Sequence, residues 1–183
     1  MRHRSLVRMC FIAVMSAVIL VMAQITIPLP FTPVPMSLAS LAVILAGTIL
    51  GPTDGTIAVV IYILLGIVGL PAFAGFTRGF TTLLGPTGGF IMGYPILAFL
   101  AGYLSSLFKK KIKLFTTYML AVSIATIPFY TLGCMWYLFY SKTTVAVSIT
   151  VSIVPFIPSD IIKNILASII MMRYTRITKD KEK

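Results

Sequence analysis

The chain has 183 residues, of which 58% are hydrophobic and 10% are charged, and its mean hydropathy is +1.03. This composition excludes an ordinary soluble domain and indicates a membrane protein with several spans. The net charge of +11 does not indicate a nucleic-acid-binding protein, because the basic residues cluster at the ends of apolar runs.

The first apolar run covers about residues 9–25 and follows a basic start at residues 2–8. We predict that it is the first transmembrane helix. Within it, Ala13 and Ala17 lie four residues apart and therefore share one face. Small residues at this spacing allow a second helix to approach closely, so the pair is a candidate partner interface. Ordinary packing within the protein is the alternative interpretation.

Four prolines fall within residues 27–35. This segment cannot form a regular helix, because each proline removes a backbone donor and restricts the residue before it. We therefore predict a stiff, extended outer loop at residues 26–35, whose apolar content favours folding over a site as a cap. A short second span at 36–50 follows, closed by an inner turn at 51–55.

The third predicted span covers residues 56–70, and a glycine-rich outer loop follows at 71–89, with Arg78 as its only basic residue. The loop ends in Gly85-Pro-Thr-Gly-Gly89, directly before the next helix. A glycine-rich entry into a helix exposes backbone N–H groups to a ligand. The chain lacks the Gly-Lys-Ser/Thr ending of a nucleotide-binding loop, and a simple tight turn is the alternative.

The fourth predicted span covers residues 90–107 and the fifth covers 114–137, interrupted by Pro128. Between them lies a lysine-rich segment at 109–113. The outer end of the fifth span is rich in aromatic residues, which is typical of an interfacial belt. The residues of this predicted belt are Tyr130, Trp136, Tyr137 and Tyr140.

Residues 138–157 are apolar but broken by prolines, and we predict an outer loop with a short helix. The sixth span then covers 158–172. With six spans the three basic clusters, at 2–8, 109–113 and 173–183, all fall on the cytoplasmic side, whereas a seventh would place the basic C-terminus outside. The predicted fold is thus one all-α membrane domain of six transmembrane helices with both termini cytoplasmic.

Asp160 and Lys163 stand near the outer end of the sixth span, and Asp160 is the only acidic residue inside apolar sequence. An ionisable group there costs ~2.5–3.5 kcal/mol and is by default a functional candidate. Positions i and i+3 share one helix face, so the two side chains are predicted to pair. A carboxylate acceptor beside an ammonium donor suits a ligand with both N–H and C=O groups, such as a urea or an amide. An internal ion pair that holds helices together is the alternative.

Catalytic sites find little support in the sequence. The only histidine is His3, so a serine protease would lack its base, and an aspartyl protease needs two acids inside the membrane. No cluster of cysteine and histidine offers metal ligands. We therefore predict no enzyme activity, no metal and no cofactor. A transporter or receptor-like binding subunit is favoured, and active transport would draw its energy from a partner or an ion gradient.

Several long motifs resemble the BioY family, the biotin-specific S-components of energy-coupling-factor (ECF) transporters. The resemblance extends from about residue 8 to residue 174. Its motifs are Ile27-Pro-Leu-Pro-Phe-Thr-Pro-Val-Pro35, Leu45-Ala-Gly47, Leu50-Gly-Pro52, Gly69-Leu-Pro-Ala-Phe-Ala-Gly75, Leu84-Gly-Pro-Thr-Gly-Gly-Phe90, Gly93-Tyr-Pro95 and Pro155-Phe-Ile-Pro-Ser-Asp-Ile-Ile-Lys163.

The resemblance implies a six-helix protein of the bacterial cytoplasmic membrane that captures biotin from outside. It would associate with a transmembrane coupling subunit and paired cytoplasmic ATPases, with Ala13 and Ala17 facing the coupling subunit. The family's Asp-x-x-Lys motif, which would bind the biotin ureido ring, falls on Asp160 and Lys163. The Phe31 loop would be a lid, and Arg78 is our candidate for the ligand carboxylate. The remaining candidate substrate-binding residues are Gly85, Thr87, Gly88 and Tyr94.

Two other functions stay open at the level of the sequence. S-components for different small vitamins share a fold with little common sequence, so the substrate could be another vitamin. A stand-alone facilitator or a membrane scaffold is the alternative from a different class. Ligand affinity of the purified chain separates a scaffold from a binder, and ATP dependence of uptake separates a facilitator from a transporter subunit.

Overall fold

The fold is known from a computed structural model, which describes residues 2–109 and 113–181. Four residues of the predicted charged clusters lie outside this part of the chain, namely Lys110, Lys111, Glu182 and Lys183. The α-helices within it are α1 (Arg2–Gln24), α2 (Ala39–Leu50), α3 (Pro52–Val68), α4 (Phe80–Leu84), α5 (Gly88–Phe108), α6 (Leu114–Ser141), α7 (Val145–Ser152) and α8 (Ile157–Lys181).

Four helical stretches in the described residues are long and apolar enough to cross a membrane. They are Ser5–Gln24, Gly88–Phe108, Leu114–Ser141 and Val145–Thr178. The last of these joins α7 to α8 through a single 3-10 turn at Val154–Phe156. Helices α2 and α3 are apolar but shorter. The structure is therefore nearly all-helical, as the hydropathy predicts.

The proline-rich loop is closed by a small hairpin that the sequence did not reveal. Strand β1 (Thr26–Ile27) pairs antiparallel with β2 (Met36–Ser37), so the eight residues between them form a compact loop. The side chain of Thr32 is buried, and its hydroxyl accepts a hydrogen bond from the N–H of Val34 at 3.2 Å. The loop therefore folds against the protein, as its apolar content predicts.

Helix α5 lies at the centre of the bundle and packs against α2, α3 and α6. Glycine makes the closest of these approaches possible. A Cβ atom on Gly47 of α2 would lie 2.0 Å from the carbonyl oxygen of Ala98, and one on Gly102 would lie 2.4 Å from the carbonyl oxygen of Gly47. Because the backbones themselves are in contact, α2 and α5 form a closely packed support for the residues at their N-terminal ends.

Two proline positions differ from the sequence prediction. Helix α6 is continuous through Pro128, because neighbouring helices hold a long apolar helix together across one missing backbone bond. Helix α3 begins at Pro52, so the predicted turn at 51–55 is reduced to Gly51, which has a φ of +86°. Proline is favoured in the first helical turn, where its missing N–H has no helical partner.

Candidate functional site

A cavity of about 480 Å³ opens between the hairpin loop, the connection from α3 to α4 and the first turns of α5. This size is typical of small-molecule sites, which occupy roughly 300–1,000 Å³. Both of the loops that the sequence marks as unusual contribute to it. Its lining includes Thr32, Val34, Pro35, Tyr62, Phe73, Ala74, Thr77, Gly85, Thr87, Phe90 and Tyr94.

Asp160 and Lys163 form a buried ion pair in the first turns of α8. The Lys163 ammonium donates to Oδ1 of Asp160 at 2.9 Å, and the two residues are only 6% and 8% exposed. The predicted pairing across one helix face is therefore present. Because the charges compensate each other, the site holds no net charge away from water.

Two further side chains hold the pair in place from other helices. The hydroxyl of Tyr130 on α6 donates to Oδ2 of Asp160 at 2.5 Å. The Lys163 ammonium also donates to the hydroxyl of Ser40 on α2 at 3.1 Å. Three helices thus converge on one network, and both carboxylate oxygens accept a hydrogen bond.

A second, much smaller cavity of about 50 Å³ lies directly over the ion pair. Asp160 and Lys163 line it, whereas neither lines the larger cavity. The two cavities share Phe90 and Tyr94 in their walls, together with Val34 and Pro35 of the hairpin loop. The ion pair therefore lies behind a partition formed mainly by these side chains.

The partition belongs to an aromatic cluster. The ring of Tyr94 stacks on that of Phe129 with centroids 5.5 Å apart, and Phe90 meets Phe129 edge-on at 5.5 Å. Phe90 also contacts the rings of Tyr130 and Phe156, both at 6.5 Å. Aromatic rings next to a few polar groups are the usual composition of a pocket that binds a small molecule.

The glycine-rich entry to α5 forms another wall, and Trp136 of α6 fixes it. The indole N–H of Trp136 donates to the carbonyl oxygen of Gly85 at 2.8 Å. Of the predicted residues, Gly85 and Thr87 line the large cavity and Tyr94 lines both cavities. Gly88 lines neither and serves close packing, since a Cβ there would lie 1.8 Å from the carbonyl oxygen of Leu83.

Two predicted residues lie away from the cavity lining. The side chain of Phe31, at the tip of the hairpin loop, is 63% exposed. Arg78 is also exposed, and its carbonyl oxygen accepts a hydrogen bond from the Thr82 hydroxyl. Both stand next to lining residues, Thr32 and Thr77 respectively. The structure thus brings Asp160, Lys163 and Tyr94 together and leaves Phe31 and Arg78 at the periphery.

Sequence reasoning missed Tyr130 and Ser40. Tyr130 was predicted to lie in an interfacial belt, but its hydroxyl points into the protein, toward Asp160. Tyr137 is likewise buried, and Trp136 packs on the α5 entry, so only Tyr140 of the predicted belt is exposed. A hydroxyl inside an apolar run was the only sign of Ser40, and such residues are common in helix packing.

A separate groove of about 560 Å³ runs between α1 and α3, and Ala13 and Ala17 line it. Its other walls are mainly aliphatic side chains, including Ile57 and Ile61 of α3. At one end, the guanidinium of Arg8 forms an ion pair with Asp54 in the first turn of α3. The predicted pair of small residues thus faces an open groove.

The chain matches the family model described as "BioY family" over residues 1–180. It is 37% identical to the probable biotin transporter BioY of Pyrococcus horikoshii, across 88% of this chain and 92% of that protein. It is 36% identical to the biotin transporter BioY of Thermotoga maritima, across 92% of this chain and 95% of that protein.

Solved structures give the same result. The chain superimposes with a TM-score of 0.88, at 30% identity, on the crystal structure of the S-component for biotin from an ECF-type ABC transporter, covering 96% of this chain and 94% of that one. A second S-component of a bacterial ECF transporter, 21% identical, matches with a TM-score of 0.59 over 96% of this chain and 97% of its own, which supports the fold alone.

Proposed function

The chain belongs to the BioY family, and on that premise we propose that it captures biotin as the substrate-specific subunit of an ECF-type transporter. It is a transport protein rather than an enzyme. The observation that carries the proposal is the buried Asp160–Lys163 pair, which is pre-oriented by Tyr130 and Ser40 beside a cavity of small-molecule size.

The ureido ring of biotin offers two N–H donors and one carbonyl acceptor, which is the complement of this ion pair. The Asp160 carboxylate accepts from the ring N–H groups, and the Lys163 ammonium donates to the ureido oxygen. Hydrogen bonds to charged groups are roughly twice as strong as neutral ones, and burial excludes competing water. A ligand without this donor and acceptor pattern would cover the pair without adding a hydrogen bond to either charge, which makes the pair a source of specificity.

Access to the pair requires movement of the aromatic partition. A cavity of about 50 Å³ has room for little more than one or two water molecules, each of which takes roughly 30 Å³. The fused rings of biotin therefore enter only when the side chains of Phe90 and Tyr94 swing toward the larger cavity. Biotin would then span both cavities, with its rings over Asp160 and its aliphatic chain between the outer loops.

The outer loops would close over the ligand. We propose that Phe31, which is exposed at the tip of the hairpin loop, turns inward as a lid while Gly85 and Thr87 form the opposite wall, with Gly88 packed behind them. Arg78 is the only basic residue of the loop at 71–89, and it neighbours the lining residue Thr77. It is our candidate for the ligand carboxylate at the cavity mouth.

In the membrane, α1, α2, α3, α5, α6 and α8 would form the six crossings, with both termini in the cytoplasm. Helix α2 is only about 18 Å long, shorter than a hydrocarbon core of about 30 Å. Eight of its twelve residues are buried, so it crosses inside the protein rather than against lipid. The basic clusters at both ends of the chain favour the cytoplasmic orientation.

The groove beside Ala13 and Ala17 would receive a helix of the transmembrane coupling subunit, which in turn binds the paired cytoplasmic ATPases. Small residues and aliphatic walls suit helix packing within lipid.

The proposed function is tested by measuring binding of radiolabelled biotin to the purified chain and ATP-dependent uptake with the coupling module. A folded chain that does not bind biotin would contradict it.

A further inference from the structure

Gln24, the last residue of α1, uses both ends of its side-chain amide to hold the segment between α3 and α4. Its Nε2 donates to the carbonyl oxygens of Pro71 at 3.1 Å and Ala72 at 3.0 Å, besides that of Leu20 in its own helix at 3.1 Å. Its Oε1 accepts the N–H of Phe76 at 3.0 Å. One side chain thus joins two segments about fifty positions apart in sequence.

The segment that Gln24 holds is strained. Gly75 and Phe76 are consecutive residues in the left-handed region, with φ of +67° and +59°. A bulky residue rarely adopts this conformation unless its surroundings impose it. The Phe76 side chain is 67% exposed, so packing does not impose the turn. The turn is held by the hydrogen bond from the Phe76 N–H to Gln24 together with two bonds inside the segment. In these, the Phe73 N–H donates to the carbonyl oxygen of Thr77 at 3.1 Å and the Thr77 hydroxyl donates to that of Ala74 at 3.0 Å.

The inner side of the same segment is a wall of the large cavity. Phe73, Ala74 and Thr77 line the cavity. Phe73 is 1% exposed, and its ring meets that of Tyr62 edge-on at 5.9 Å. The wall is therefore fixed from the α3 side by ring packing and from the α1 side by the Gln24 amide.

We propose that Gln24 is a positioning residue for the ligand cavity, whose amide keeps the 71–77 segment closed as a wall and so sets how slowly the ligand leaves. The identification of this ligand as biotin rests on the proposed function. Helix α1 carries both the Ala13–Ala17 groove and Gln24. A partner in that groove would therefore contact the helix whose last residue holds the cavity wall.

Two substitutions separate the functions of the amide. Gln24→Met keeps the shape and removes every hydrogen bond to the segment. Gln24→Glu keeps an acceptor for the Phe76 N–H, but the ionised carboxylate donates nothing and faces the carbonyl oxygens of Pro71 and Ala72. When protonated, Glu regains one donor. We expect biotin to dissociate at least roughly fivefold faster from Gln24→Met than from the wild type.

The pH dependence of the biotin dissociation rate distinguishes this role from a general structural defect, whose effect would not vary with pH in the same way. The ratio of the dissociation rates of Gln24→Glu and the wild type should fall toward one as the pH is lowered from about 7 to about 4, the range in which a glutamate carboxylate, with a pKa of about 4.3 in water, becomes protonated. Helix α1 packs mainly on β2, α2, α3 and the turn at 74–76. The only charged residue in these elements is Asp54, which pairs with Arg8 at the opposite end of α1. Thr131→Val is the control, since the Thr131 hydroxyl bonds only within its own helix.

Hydrogen exchange of the ligand-free protein tests the proposal without biotin. Amides at 71–79 should exchange faster in Gln24→Met than in the wild type or Thr131→Val, with the core of α5 unchanged. Wild-type protein that does not bind biotin would contradict the proposed function, while this exchange comparison still tests the wall. Unchanged exchange and dissociation in Gln24→Met would overturn the proposal for Gln24 and leave the proposed function intact.

Discussion

The hydroxyl of Tyr130 lies 2.5 Å from Oδ2 of Asp160 and donates a hydrogen bond from α6 to α8. The Lys163 ammonium donates a hydrogen bond to the other carboxylate oxygen, Oδ1. Both oxygens are thus oriented before a ligand arrives, and Oδ2 retains a lone pair for a further donor. Such preorganisation reduces the cost of ordering the site on binding.

We predict that Tyr130→Phe weakens biotin binding by roughly tenfold, since a lost hydrogen bond to a buried charged group costs about 1.5–3 kcal/mol in part offset by the ligand's own donors. Equilibrium binding to the purified variant measures the change. Tyr118→Phe is a matched control, because Tyr118 also lies on α6 and bonds Thr175 of α8 through its hydroxyl. Equal loss in both variants would show a general weakening of the contact between α6 and α8.

Arg78→Ala should weaken binding of biotin much more than binding of biotin amide, because only biotin carries the carboxylate that we assign to Arg78. Competition binding with the two ligands measures the difference. Lys142→Ala is the control, since Lys142 is a basic residue at the end of α6 that lines neither ligand cavity. Equal losses for both ligands in Arg78→Ala would contradict the assignment.

Ala17→Trp should fill the groove between α1 and α3, abolish co-purification with the coupling subunit and leave biotin binding unchanged. The physical reason is steric, because a large ring occupies the space that a partner helix needs. Val14→Trp is the matched control, since Val14 is 61% exposed on α1 and does not line the groove. Retained assembly and ATP-dependent uptake in Ala17→Trp would exclude this groove as the interface.

The sequence was most informative where it broke a strong rule. A lone acid and a lysine three residues apart inside an apolar run predicted the buried pair of Asp160 and Lys163, because charge in lipid is too costly to be incidental. The four prolines at 27–35 excluded a helix for a similarly direct reason. In the first case the free-energy cost of a charge in lipid decides the prediction, and in the second the missing backbone donors of the prolines decide it.

The sequence was least informative where several environments suit the same residue. A tyrosine near the end of an apolar run suits an interfacial belt as well as a buried site. The sequence therefore gave no sign that Tyr130 bonds Asp160. A proline ends or kinks most helices of soluble proteins, but Pro128 is tolerated inside α6 because neighbouring helices pack against it. The strands β1 and β2 have two residues each, which is too short for an alternating pattern.

The most direct test of the account is equilibrium binding of biotin to the wild type, Asp160→Asn, Lys163→Ala and the double variant Asp160→Asn/Lys163→Met. Removing one partner of a buried pair costs about 2–5 kcal/mol, so each single variant should lose roughly 30-fold or more in affinity. The double variant leaves no unpaired buried charge and should unfold close to the wild-type temperature without binding biotin. Tight binding that survives in all three variants would contradict the assignment of this pair as the ligand site.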